Sequence, residues 1–535
     1  MNKFGIAAIA AGACLFTSWH NINAKETAMS EQTEKKPLEL QQLIDNAVRK
    51  GQRKLTILPG NYRVQQEIKL SGVADFAIEG YGATLVFPPE TGMFSFSGCS
   101  RLNVKGITLD CDPLPFTQGT ITRVSDDHNW FEYEVHSGYP QLTTPKYEKN
   151  GKSGIFVFAP DTLRWRQDIP DLYPTTSEIL NPTHGKITLS GNLPGYRNIN
   201  VGDFVAFKNG GGNALLFRGC DDVKLEDVTI LTAPLAGFLL RSCTGPVSLR
   251  RCVIKKGPKP EGAVNERLLS TVADGFNLAY SRKGVEMEDC DFSFMGDDAV
   301  NLHGCFVKVV AVEDGAKTVW VGRLWSTEFM ETVRSGDSLR ILKADSYAVK
   351  AEANILACDI PKPPEGLETR IRSEWKLTPE TKLHLVRFTL DKAVSAEPGD
   401  HIEIPAISCP DFVFRNNYFH DHRARGLRLG ASNGLIENNR FERLKSTAIS
   451  LGPHAIHSEG GWVCDVIVRK NKFSDVCFDD RSLSTGSYNA GAIVVQHFLS
   501  NRKAAYPPEL TICPFNNRKL NALLLSLDIV VLPCF

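Results

Sequence analysis

Val223-Lys-Leu-Glu-Asp-Val-Thr-Ile230, Val247-Ser-Leu-Arg-Arg-Cys-Val-Ile254 and Val285-Glu-Met-Glu-Asp-Cys-Asp-Phe292 are three copies of one phrase. Each is a short alternating strand, a polar pair and an apolar stub. The phrase returns as Phe412-Val-Phe-Arg-Asn-Asn-Tyr-Phe419, Gly434-Leu-Ile-Glu-Asn-Asn-Arg-Phe441 and Asp465-Val-Ile-Val-Arg-Lys-Asn-Lys-Phe473. An earlier relative spans Leu102 to Leu109. A second phrase accompanies several copies: Gly237-Phe-Leu-Leu240, Gly275-Phe-Asn-Leu278, Ala299-Val-Asn-Leu302, Gly426-Leu-Arg-Leu429 and Ala448-Ile-Ser-Leu451. Clean neighbours stand 22 to 24 residues apart (Gly426 to Ala448, Gly275 to Ala299), the length of one β-helix coil. One coil cannot bury its own apolar face, and stacking can. The expected fold is therefore all-β: a right-handed parallel β-helix. Phe238, Phe276, Val300, Leu427 and Ile449 should form one internal ladder, and Leu240, Leu278, Leu302, Leu429 and Leu451 another. Cys252 and Cys290 share a position, as do Asn417 and Asn439. A leucine-rich-repeat solenoid competes less well, because no LxxLxL frame with helices is visible.

Two stretches break the period. Residues 119–207 and 305–405 are strand-rich but lack the coil phrase, and each carries a Gly-Asp pair before an apolar strand, as in Gly202-Asp203 and Gly399-Asp400. They read as two small β-barrels inserted into the helix wall. The resulting division is a signal peptide 1–24, a linker 25–37 and N-terminal coils 38–118. The first insertion 119–207 and central coils 208–304, which carry the site, come next. The second insertion 305–405, C-terminal coils 406–500 and an atypical apolar tail 501–535 complete it.

Composition narrows the partners. Lys+Arg and Asp+Glu each total 61 in 535 residues, so the formal net charge is zero. A nucleic-acid or membrane-surface binder needs a basic excess; a neutral glycan does not. No segment is long and apolar enough to span a bilayer. Lys3, the apolar run Gly5 to Phe16 and the small residue Ala24 read as an export signal, leaving a periplasmic or secreted protein. A lipoprotein signal ending at Cys14 is the weaker alternative. The 14 cysteines show neither a CxxC metal pattern nor a dense disulfide framework, so stacked free thiols are expected.

Chemistry gathers in one column. Aligned on the second phrase, the residue before the Gly or Ala is Ala236, Asp274, Asp298, Arg425 and Thr447. Two positions past it stand Leu239, Asn277, Asn301, Arg428 and Ser450. The polar patch is confined to neighbouring coils, which points to a site rather than a solvated face. Strand alternation sends Asp297, Asn301 and His303 outward. Asp298 falls on the inner parity at a coil corner, where alternation often breaks. Three carboxylates one or two strand spacings apart should perturb one another, as acid–base chemistry requires. Turn chemistry or a calcium site is the plainer reading of Asp297-Asp298 alone. Arg423, Arg425 and Arg428 could orient hydroxyls or form a solvated strip. Trp462 could stack a sugar or serve as core.

Here the sequence resembles glycoside hydrolase family 110, the exported α-1,3-galactosidases of gut-type bacteria. Ala273-Asp-Gly-Phe-Asn277, Val285 to Phe292, Gly296-Asp-Asp-Ala-Val-Asn-Leu-His-Gly304, Arg425-Gly-Leu427 and Ile436-Glu-Asn-Asn-Arg-Phe441 carry the likeness. It runs from about Leu38 to about Phe498, and the closing strands usual in that family are not recognisable. The resemblance implies an inverting, cofactor-free and metal-free enzyme that releases terminal α-1,3-linked galactose from glycans. Asp274, Asp297 and Asp298 would be catalytic, with Asn277, Asn301, His303, Arg425, Arg428 and Trp462 on the substrate. Which aspartate is base stays open, and Glu328 and Glu331 of the second insertion are candidates for the acid. Competing readings are a polygalacturonase-like hydrolase or lyase and a non-catalytic glycan-binding β-helix.

Overall fold

The computed structural model describes residues 35–142, 154–166, 168–208, 210–324, 326–477, 491–495 and 529–531. The signal peptide 1–24, with Cys14, lies outside them, as does the tail 501–535 apart from Ile529–Val531. Among the described residues no helix is long and apolar enough to cross a membrane.

The body is a parallel β-helix. One wall is a run of nine parallel strands from Ile68–Ser71 through Phe94–Ser97, Leu215–Arg218, Phe238–Arg241, Phe276–Ala279, Val300–Cys305, Leu427–Gly430 and Ile449–Leu451 to Ile493–Val495. Phe238 pairs with Phe276, Phe276 with Val300, Val300 with Leu427 and Leu427 with Ile449. The leucine ladder from Leu240 to Leu451 follows the same register. Both ladders are fully buried. Each such side chain contributes roughly 1.5–3 kcal/mol by leaving water.

The polar pair in the first phrase has a mechanical purpose. Asp227, Arg251, Asp289, Asn416, Asn438 and Lys470 all sit in the left-handed region, with φ between 51° and 58°. That corner turns the next residue inward: Val228, Cys252, Cys290, Asn417, Asn439 and Asn471 are all buried. Three asparagines form a ladder, one more member than the sequence revealed. The backbone N and Nδ2 of Asn417 donate to Asn439 Oδ1 at 3.0 and 2.9 Å, and those of Asn439 to Asn471 Oδ1 at 2.9 Å each. Cys252 and Cys290 occupy the same row on earlier coils, and the eleven described cysteines are all free thiols.

The N-terminal end is covered by the helix Leu40–Arg49, whose Leu40, Ile44 and Ala47 pack into the core. At the other end Ile529–Val531 runs antiparallel beside Val466–Arg469.

The insertions differ from each other. The second is a closed six-stranded barrel of Val307–Glu313, Thr318–Arg323, His384–Leu390, Val349–Asp359, Ser338–Leu342 and His401–Glu403. In the first, the edge strands of the sheet are joined by a single bridge, Ile155 and Leu172 exchanging backbone hydrogen bonds of 2.9 and 3.3 Å. Its strands run, in order across an antiparallel sheet, Ile155–Phe158, Phe204–Lys208, Phe116–Val124, Trp130–Val135, His184–Leu189 and Pro174–Ile179. Its aromatic core is completed by Ala263, Leu268, Leu269 and Val272 from a β-helix loop. Apolar cover supplied by the solenoid supplements that narrow seam. Arg267 of that loop pins the join, donating to both oxygens of Asp110 at 2.7 and 2.9 Å.

The asparagine ladder is testable. Asn439→Ala leaves the buried Asn417 N–H without its acceptor and removes the donor to Phe414 O (2.9 Å). We expect urea unfolding to show a loss of about 2–4 kcal/mol. A loss under about 0.5 kcal/mol would mean that the ladder is ornamental.

Candidate active site

The coil register builds the site. The backbone N of Gly275 donates to the Asp298 carbonyl at 2.9 Å, so Asp274 and Asp298 occupy equivalent places one coil apart. Gly275 permits that approach: a Cβ there would stand 2.7 Å from the Ala299 carbonyl oxygen. With Phe276 and Val300 inside, Asn277 and Asn301 share one outer row with Arg428, and His303 lies in the next. Asn277, Asn301 and His303 point away from the helix core yet are only 7%, 3% and 6% exposed, because other segments close over them.

The three carboxylates have different surroundings. Asp298 is buried at the corner and accepts from the Arg425 backbone N at 2.9 Å. Arg425 Nη1 reaches its two oxygens at 3.1 and 3.3 Å, and Arg428 Nη1 lies 3.6 Å away. Burial alone would push the Asp298 carboxyl up, but the two guanidinia outweigh it and hold it below the usual range. Asp274 has no such cation in contact. Asn277 Nδ2 donates to it at 2.6 Å. Burial, then the charges of Asp297 and Asp298, push its carboxyl well above the usual range. Asp297 is the most open, its side chain 42% exposed, and it accepts from Arg423 Nη1 at 3.1 Å.

One oxygen of each carboxylate lies within 4.8 Å of the other two. An inverting pair typically stands roughly 6.5–9.5 Å apart, and these inner oxygens are closer. A calcium ion fits the trio poorly. Calcium takes about six to eight oxygens from ionised ligands, whereas both Asp298 oxygens face arginine and Asp274 favours its neutral form.

Two groups of contributors escaped the sequence reading. From the first insertion, Asp171 accepts from Arg423 Nε at 2.8 Å, and Lys445 Nζ is 3.5 Å from it. Phe156 lies under both the Arg423 guanidinium (5.4 Å) and the Lys208 ammonium (4.6 Å). Burial pushes Lys208 down to about 8. From the last coils, Glu459 pairs with Arg428 Nη2, and its other oxygen is 4.0 Å from His303 Nε2. His303 donates Nδ1–H to the Gly304 carbonyl at 2.8 Å, and burial pushes it down to about 4, so it is neutral at pH 7. Arg241 Nη1 holds the Asn277 amide oxygen at 2.8 Å. Asp171 and Glu459 lie outside every repeat phrase, so nothing in the periodicity pointed to them.

Other expected residues sit elsewhere. The Glu328 carboxylate is taken by Arg218 Nε and Ser326 Oγ, both at 2.8 Å, against an earlier coil than that of Asp274. Glu331 lies in the same turn, beside Gly219. The carboxylates that join the aspartate cluster come from positions 171 and 459. Trp462 packs in a small cluster with Phe306, Leu342 and Tyr347, and its backbone N donates to Glu403 at 2.7 Å. That is junction packing. The second insertion meets the surroundings of the site where Arg323 bonds Tyr280, which stands edge-on to His303, and where the Phe306 backbone N donates to the Ser458 carbonyl at 3.2 Å. Asp171 and the segment around Glu459 flank the carboxylates through Arg423 and Arg428.

No protein-family model matches the chain. Curated relatives do. The chain is 22% identical over 431 residues to alpha-1,3-galactosidase B of Bacteroides thetaiotaomicron, covering 77% of this chain and 65% of that one. It is 28% identical over 433 residues to alpha-1,3-galactosidase B of Parabacteroides distasonis, covering 76% and 65%. It is 23% identical over 438 residues to alpha-1,3-galactosidase A of Bacteroides fragilis, covering 77% and 65%. The match thus spans just under two thirds of these relatives' length, and it bears out the family resemblance carried by the motifs. Among solved structures, the A-module of a mannuronan C-5 epimerase from Azotobacter vinelandii aligns over 85% of this chain and 83% of its own, at 10% identity and a TM-score of 0.28. So loose a likeness adds nothing to the strand register.

The unequal carboxylates predict opposite stability effects. The folded-state pKa of Asp274 is raised, so stability is lost as pH climbs above the unfolded value of about 3.9. Asp274→Asn removes that loss, and we expect it to be at least as heat-stable as the parent at pH 7, with the two converging near pH 4. The folded-state pKa of Asp298 is lowered, so its contribution is present above about pH 4 and lost in acid. Asp298→Asn leaves buried guanidinium charge uncompensated and should cost about 3 kcal/mol at pH 7. Calorimetry giving both variants the same sign would contradict this assignment.

Proposed function

We propose that the chain is an exported, exo-acting, inverting glycoside hydrolase that removes terminal α-1,3-linked galactose from glycans. Blood group B determinants and linear α-galactosyl epitopes are the substrates of choice. The observation that carries the reading is two stacked aspartates with opposite surroundings: burial and the charges of Asp297 and Asp298 push the Asp274 carboxyl up, while Arg425 and Arg428 hold the Asp298 carboxyl down. Glycosidases need one carboxyl protonated and another ionised at the same pH. The curated relatives, named as α-1,3-galactosidases, support the sugar and the linkage.

Each group has a task in this scheme. Asp274 gives its proton to the glycosidic oxygen as the bond to the anomeric carbon breaks. Asp297, the most accessible of the three, takes a proton from the attacking water. Asp298 stays ionised and steadies the positive charge that develops on the sugar. Asn301 Oδ1 is buried without a hydrogen-bond partner, an acceptor suited to a sugar hydroxyl. Asn277, His303, Arg428 and Glu459 surround it. Asp171 on one side and Glu459 on the other wall the carboxylates, which suits a chain end better than the middle of a polymer.

Charge disfavours the polygalacturonase-like alternative. Arg423 faces Asp171, Arg425 faces Asp298 and Arg428 faces Glu459, so these arginines offer no surplus positive charge to an acidic polymer. A purely binding module has no use for a raised carboxyl beside a lowered one. Carboxylate oxygens lying within 4.8 Å of one another favour one rival reading, a retaining mechanism, whose carboxyl groups stand about 5–5.5 Å apart.

Proton NMR in the first minutes of hydrolysis should show β-galactose from an α-linked substrate. Initial α-galactose would replace inversion with retention. Asp297→Asn should lower kcat by at least about a hundredfold on every cleaved substrate, the scale of a lost general base. The alkaline limb of kcat/KM should fall as pH rises through the raised pKa of Asp274. Near-parental turnover by Asp297→Asn would remove it from the mechanism.

A further inference from the structure

The aspartate cluster stands between two unlike surroundings. On the strand side, Asn277, Asn301 and His303 are closed over, all under a tenth exposed. On the side of the first insertion, the Asp297 side chain is 42% exposed and Tyr173 is 51% exposed. A terminal sugar needs an enclosed place, and the rest of its glycan needs a way out. We propose that Lys208 and Tyr173 of the first insertion bind the second sugar of the substrate, the one to which the terminal galactose is attached. This rests on the glycosidase reading and adds a leaving-group site to it.

The register of the insertion puts both residues on one face. The bridge between Ile155 and Leu172 sets Asp171 opposite Phe156 and Tyr173 opposite Gly154. In the neighbouring strand Phe156 pairs with Ala206, two residues before Lys208. Residues opposite each other or two apart share a face of a sheet. Phe156, Asp171, Tyr173 and Lys208 therefore look the same way. That way is towards Asp297, because Asp171 docks on Arg423, which also holds Asp297. Gly154 lies between the two rings: a Cβ there would stand 3.7 Å from Phe156 Cε1 and 4.0 Å from Tyr173 Cε1.

Lys208 supplies the donors. Its Nζ stands 4.6 Å from the Phe156 ring and donates to the Gly296 carbonyl at 3.1 Å, its one hydrogen-bond acceptor among the described residues. An ammonium has three N–H donors, so two are left over. The Gly296 carbonyl also accepts from Arg423 Nη1 at 3.2 Å, so the turn before Asp297 is held without Lys208. Burial lowers the Lys208 ammonium to about 8, and the nearby charges of Asp297, Asp171 and Asp274 oppose that fall. A cation with spare donors at the open edge of the carboxylates is placed to bond the hydroxyls of a neutral sugar. The half-exposed Tyr173 ring offers the apolar face of that sugar a platform.

Titration calorimetry of the Asp274→Asn protein, which lacks the proton donor of the scheme above, reads binding apart from hydrolysis. Galactose and α-1,3-galactobiose are the probes. The disaccharide should bind about tenfold or more tighter than galactose, the gain expected of about one hydrogen bond from a charged donor. Adding Lys208→Met or Tyr173→Ala should each remove most of that gain, about five- to tenfold, and change the affinity for galactose by less than about twofold. Tyr173 is half exposed, so its variant reports binding even if Lys208→Met loosens the join. The inference is overturned if the disaccharide binds no tighter than galactose, or if the variants weaken both sugars alike. Tight, variant-sensitive disaccharide binding to a parent that releases no galactose from it would instead sink the glycosidase reading and leave the two-sugar site standing.

Discussion

Two aspartates at the same position of neighbouring coils face each other across about one strand spacing, roughly 4.8 Å. At that separation in a partly buried site, both cannot be ionised unless cations intervene. This chain gives its cations to one of them. Arg425 and Arg428 come from the next coil along the same column and both contact Asp298, while Asp274 receives an amide. The strand register therefore sets the protonation states. The same stacking that buries the phenylalanine and leucine ladders holds one carboxyl up and the other down, with no separate device needed to tune either.

A solenoid wall is flat, and a flat wall makes a poor pocket. The chain answers with segments remote in sequence. Asp171 arrives from the first insertion and docks on Arg423, and Glu459 arrives from a turn between the last coils and docks on Arg428. These arginines therefore do two jobs: they set the charge of the aspartate cluster and anchor the walls around it. A rigid support follows from the paired ladders and the buried asparagine row. A site that must hold carboxylates at fixed spacing benefits from a base that does not flex.

The coil phrase made the helix, its two ladders and the aspartate column legible, because a parallel β-helix writes its contacts into equal sequence spacings. Cys252, Cys290, Asn417 and Asn439 were legible for the same reason. Asn471 was missed only because its neighbours Lys470 and Lys472 blur the repeat. The cover of the first sheet was not legible, because Leu268 and Leu269, which complete its core, lie far away in the chain. Nor could spacing reveal Glu459, which follows no repeat, or the roles of Glu328 and Trp462, whose contacts are decided by how the barrel sits on the coils. The direction of Asp298 was the hardest case. Its inner parity at a corner suggested burial, its chemistry suggested exposure, and the Arg425 backbone N–H settles it inward.

The central claim is that the Asp274 carboxyl titrates above the ordinary carboxylate range and the Asp298 carboxyl below it. Carboxyl-carbon NMR of aspartate-labelled protein, assigned by the Asp274→Asn and Asp298→Asn variants, reads this directly. The account predicts that the Asp274 signal titrates only above the ordinary carboxylate range and the Asp298 signal only below it. Titration of Asp274 at or below about pH 4 would contradict it.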